Sequence, residues 1–152
     1  MTDTAFPPLD VTAQWGRLND GLATLVDYVP EDQMDWSPRE GLWNFREILL
    51  HTVRARDYWM GPVVRDGEQA PSAPETAQSK EEIQRELHRS WERVQRFLAK
   101  REKLSNEYET QRGSVAGHWI AFHLLEHDIH HRADIFHYLA LLGIEHPQVG
   151  TP

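Results

Sequence analysis

An all-α, up-down four-helix bundle is the fold this sequence predicts, on three observations. Four segments place apolar residues at spacings of three and four, and none alternates with the period of two that marks a strand. Residues that start or stop helices bound each segment. The connections, one short and one long around the second segment, suit helices that pack side by side. The 152 residues, 39% hydrophobic and 26% charged, fit a single compact domain over residues 1–152.

The first helix covers roughly Asp10 to Tyr28, with Trp15, Leu18, Leu22 and Leu25 on one face and Pro30 ending it. Gly16 and Gly21 each weaken it by about 1 kcal/mol relative to Ala, so packing must compensate. The second starts after Asn44, where Glu47 completes a capping box, and runs to about Met60 before Gly61-Pro62. Ile48, His51, Ala55 and Tyr58 share one of its faces. Gly61 to Gln78 is a long connection rich in Pro, Gly, Ala and Ser. The third helix opens at Ser79 with Glu82 as its box partner, buries Ile83, Leu87, Trp91, Val94 and Leu98, and turns a mixed charged face to water. Ser105 to Gly113 reads as polar loop. The fourth helix runs from about Ser114 to Leu142, with Gly143 as its C-terminal cap.

Composition removes several function classes. The formal charge is −8 and no basic run exists, which argues against nucleic-acid binding. No apolar stretch approaches the roughly 18 residues of a membrane span. Met1 to Leu9 lacks the pattern of a signal peptide, so a cytoplasmic location is expected. The absence of cysteine removes thiolate ligands and nucleophiles.

Chemistry concentrates in histidine. Five of the nine histidines lie between His123 and His137. At about 100° per residue, His127 and His131 sit one turn apart, within an apolar stripe of Ile120, Leu124, Tyr138 and Leu142. His123, His130 and His137 form a flanking stripe, while Glu126 and Asp128 should point to solvent. Two imidazoles at i and i+4 can share a metal ion, and His51 of the second helix is a third candidate ligand. Such a site keeps open positions for water or substrate, and imidazole suits zinc, nickel or iron alike. Glu47, one turn before His51, and Asp134, beside the pair, are candidates to orient a ring; Asp134, His123 or Tyr58 could also act as a base. The competing reading makes these histidines ordinary packed residues with no metal.

A second apolar stripe of Phe122, Ile129 and Phe136, with Ala133 and Ala140, runs down the other side of the fourth helix. A peripheral helix should be polar there, so a homodimer packed through this face is expected.

Phe45-Arg46-Glu47-Ile48-Leu49-Leu50-His51, Glu126-His127-Asp128-Ile129-His130-His131-Arg132 and Tyr138-Leu139-Ala140-Leu141-Leu142-Gly143 together resemble the DinB/YfiT-like family of four-helix bundles. The likeness extends to the Trp36-Ser37-Pro38 entry to the second helix. It implies a divalent metal held by His51, His127 and His131, and often a dimer. It also implies a small-molecule substrate: S-transferases and isomerases using a low-molecular-weight thiol are known in the family, and hydrolases are proposed. A non-catalytic metal-binding stress-response protein is the alternative. One departure stands out. Ala133-Asp134 follows His130-His131-Arg132, where many members have glycine and glutamine, which adds a carboxylate near the expected metal.

Overall fold

The computed structural model describes residues 11–69 and 77–147. Helix α1 spans Val11–Tyr28, and α2 spans Phe45–Tyr58 and continues into a π-helical turn, Trp59–Val63. Then come α3, Lys80–Leu98, and a short α4, Arg101–Ser105. A hairpin of β1, Glu107–Thr110, and β2, Gly113–Ala116, leads into α5, Gly117–Leu141.

The four long helices form the bundle, with α5 as the fourth. Helix α1 packs on α3 and α5, and α2 packs on the same two, so α1 and α2 stand diagonally across the core. Leu22, Leu25, Phe45, Ile83, Ile120 and Ile135 are buried between them. Both capping boxes form: Asn44 with Glu47 opens α2, and Ser79 with Glu82 opens α3. No described helix is long and apolar enough to cross a membrane. Asp10, and residues 70–76 of the long connection, lie outside the described residues.

Three expectations need correction. The segment from Ser105 to Gly113 is not simply a loop. It carries the end of α4 and most of an antiparallel hairpin, with Tyr108 opposite Val115. Four-residue strands are too short for their alternation to register beside helical periods. Tyr108 secures the hairpin by packing on Phe97 and donating its hydroxyl to the Lys103 carbonyl at 2.9 Å. The fourth long helix therefore starts at Gly117 rather than Ser114. Gly117 lies so close to α4 that a Cβ would fall 2.2 Å from the Lys103 carbonyl oxygen.

The charged side of α3 is not wholly solvated either. Arg93 is buried, and with Arg89 it grips Asp57 of α2. Arg93 also holds Asp66, just past the π turn. Finally, the buried stripe of α5 is Ile120, Leu124, Asp128, His131, Ile135 and Leu139. Asp128, expected in solvent, lies at its centre.

Candidate metal centre

Helix α2 presents His51 and α5 presents His127 and His131 across the seam between the two helices. Ligand nitrogens of the three rings all lie within 4.8 Å of one another. Nε2 of His51 and Nε2 of His127 are 2.8 Å apart, so one ring's N–H donates to the other's lone pair. His131 stands edge-on to both, with ring centroids 5.0 Å from His51 and 4.4 Å from His127. Trp43, in the loop before α2, covers His51 at 4.4 Å and reaches within 5.9 Å of His131.

Burial sets the protonation of this group. Desolvation, reinforced by His127 and His131, lowers the His51 pKa to about 4. Desolvation lowers His131 as well, and His127 adds to that shift while Asp134 opposes it. Neutral imidazole is the form that binds metal. Asp134 Oδ2 accepts a hydrogen bond from Nδ1 of His131 at 3.0 Å. A carboxylate can only accept here, so His131 keeps its Nε2 lone pair free. Asp134 also comes within 3.6 Å of His130 Nε2, making a second, more exposed group of His130, His131 and Asp134.

Behind His127 lies a buried ion pair. Oδ2 of Asp128 accepts from Trp15 Nε1 at 2.7 Å, and from Arg56 Nη2 at 2.8 Å and Nε at 3.1 Å. Arg56 spends its other nitrogen on Asn19, Ser90 and the Leu87 carbonyl. Burial alone would raise the Asp128 carboxyl, but Arg56 and the hydrogen bonds outweigh it and hold it below the ordinary range. Among the described residues, Nδ1 of His127 and Oδ1 of Asp128 are buried without a hydrogen-bond partner. Three converging imidazoles, with a carboxylate bonded to one and another beside a second, fit a divalent ion.

The DinB family model matches residues 1–152. The chain belongs to the DinB family. Solved DinB-like structures share its fold. One from Bacillus subtilis is 17% identical and superposes with a TM-score of 0.69, covering 91% of this chain and 93% of that one. One from Bacillus cereus is 13% identical with a TM-score of 0.72, covering 90% and 93%. No curated protein matches.

In this DinB family member the remaining site candidates fall elsewhere. Glu47 turns its carboxylate back to the Asn44 N–H at 2.8 Å, closing the cap of α2, so its hydrogen bond serves the helix start rather than His51. His123 stacks on Trp119 at 4.8 Å, with its ring centroid 6.3 Å from that of His127. Tyr58 is exposed and packs edge-on against Trp59. His123 and Tyr58 thus meet in a neighbouring cleft. The sequence reading missed Asp128, Arg56 and Trp43. A signal existed for two of them: Asp128 and Arg56 each sit in a run of core positions spaced by three and four, Ile120-Leu124-Asp128-His131-Ile135 and Phe45-Leu49-Thr52-Arg56-Met60. Trp43 lies in a loop and leaves no periodic trace.

Proposed function

We propose that this protein holds a divalent zinc, nickel or iron ion with His51, His127 and His131, and uses it to transfer a low-molecular-weight thiol to an electrophilic small molecule. The observation that supports this reading is the convergence of three ligand nitrogens within 4.8 Å, with no fourth ligand in that group among the described residues. A bound ion with open positions lowers the pKa of a thiol or a water and supplies a nucleophile at neutral pH. The chain's own groups do the rest. Desolvation keeps His51 and His131 unprotonated, Asp134 fixes the tautomer of His131, and Trp43 shields His51 from bulk water. Water in place of the thiol would give a hydrolase from the same site. As part of this reading, we infer a homodimer through Phe122 and Ile129, which are 65% and 44% exposed.

The test begins with the metal content of untagged protein, compared with His127→Ala. Near-stoichiometric metal, lost in the variant, supports the site; none in either sinks it. Metal-loaded protein is then offered glutathione, bacillithiol or mycothiol with electrophilic acceptors, and separately simple esters and amides. Thiol-dependent turnover supports the transferase, turnover of esters alone makes it a hydrolase, and no turnover leaves a non-catalytic metal-binding protein.

A further inference from the structure

Beside the histidine centre, a cleft of about 400 Å³ opens between the end of α2, the tip of the hairpin and the start of α5. Its walls are aromatic. Trp59 stands edge-on to Trp119 at 5.6 Å and to His123 at 5.5 Å, and Tyr58 stands edge-on to Trp59 at 5.5 Å. Tyr58 and Trp119 remain nearly half exposed. Such faces receive flat π systems, which pack offset or edge-to-face on them.

One cation lines this cleft. Arg112 sits at the hairpin tip, and its guanidinium makes no ion pair or hydrogen bond among the described residues. Strand alternation sends Glu107 and Glu109 to the opposite face from Thr110, which lines the cleft. In a chain of net charge −8, a guanidinium left unpaired at an aromatic cleft stands out. Its planar fork matches a carboxylate. A larger groove of about 620 Å³ between α1 and α5 touches no histidine.

We propose that this cleft binds a planar aromatic or conjugated carboxylate, ring against Trp59 and Trp119 and carboxylate on Arg112. His123 lines the cleft and stands between it and the centre, its ring centroid 6.3 Å from that of His127, so a ligand here lies one imidazole away from where an acceptor for the activated nucleophile belongs. That substrate role rests on the proposed metal function; the binding does not.

The test is calorimetric titration of metal-free protein with 2-naphthoate and with the neutral 2-naphthalenemethanol, alongside NMR of the indole N–H signals. The acid should bind roughly tenfold tighter than the alcohol, the scale of one charge-assisted contact. Arg112→Gln should erase that preference while leaving the alcohol's affinity in place, and Trp119→Ala should weaken both. The Trp59 and Trp119 signals should shift, and that of buried Trp15 should not. Equal affinities, absence of saturable binding, or shifts confined to Trp43 overturn the proposal. His51→Ala should bind 2-naphthoate as the parent does, so a failure of the metal reading leaves this result standing, and the reverse holds too.

Discussion

Nδ1 of His127 lies 3.9 Å from Oδ1 of Asp128, both atoms otherwise unpartnered among the described residues. That is too long for a hydrogen bond and too short to admit a water between them. Nδ1–H of His127 donated to Asp128 would leave the Nε2 lone pair directed toward His51.

Asp128→Asn should therefore do two separable things. It strands Arg56, a fully buried cation, and should cost about 3–5 kcal/mol in urea unfolding. It should also weaken zinc binding by about 10–100-fold in a competition titration. Adding Arg56→Met should restore much of the stability and none of the zinc affinity. Recovery of both would show that Asp128 acts on the fold alone.

Acid should destabilise the metal-free protein through His51. Its folded pKa of about 4 lies below the unfolded value of 6.5, so between those values the unfolded chain takes up a proton that the folded chain refuses. Stability from this source is complete above pH 6.5 and falls as the pH drops toward 4. His131, shifted the same way, adds to the slope. His51→Gln should flatten the curve of unfolding free energy against pH over that window, and an unchanged slope would refute the assignment.

Metal binding should be visible in fluorescence. Trp43 is 46% exposed and lies against His51, so an ion that reorganises the imidazoles should change its emission. Trp43→Phe should abolish most of the zinc-dependent signal. A signal that survives in Trp43→Phe would place the reporter at another tryptophan.

Two glycines should respond in opposite directions to Ala. At Gly117 the new Cβ collides with the α4 backbone, and a loss of about 1–3 kcal/mol is expected. At Gly16 the nearest atom is Trp91 Cζ2 at 3.7 Å, an ordinary contact, so helix propensity should prevail and raise stability by up to about 1 kcal/mol. Thermal melts of the two variants check both signs.

Phe122→Glu should shift the protein toward monomer in analytical ultracentrifugation, if a second copy covers this face. Phe136 of the same stripe is already stacked by His146 at 4.6 Å within the chain, so Phe136→Glu should matter less to assembly. A monomeric parent protein would remove the dimer from the reading.

Helices with strong periods and caps were legible in the sequence: the starts of α2 and α3 follow from Asn44 with Glu47 and from Ser79 with Glu82. The grouping of His51, His127 and His131 was also legible, because i, i+4 spacing fixes two of them and the face of α2 offers the third. What escaped depends on distance along the chain. Asp128 looks like a surface acid until Arg56, 72 residues away, and Trp15, 113 residues away, are seen to hold it. Glu47 reads from the sequence both as the box partner of Asn44 and as a candidate to orient His51, and its hydrogen bond to the Asn44 N–H gives it to the helix start.

The Arg56–Asp128 pair touches all four long helices: Trp15 and Asn19 from α1, Arg56 from α2, Leu87 and Ser90 from α3, Asp128 from α5. Apolar side chains tolerate sliding, since one methyl replaces another at little cost. A buried guanidinium does not, because its hydrogen bonds are met at a single axial offset. The knot therefore works as a cross-pin through four rods. With His127 next to Asp128 in the chain, and His51 little more than a turn from Arg56, the height at which the imidazoles meet is set from inside the bundle. Changes in the length of the connections at its ends should leave that height unmoved.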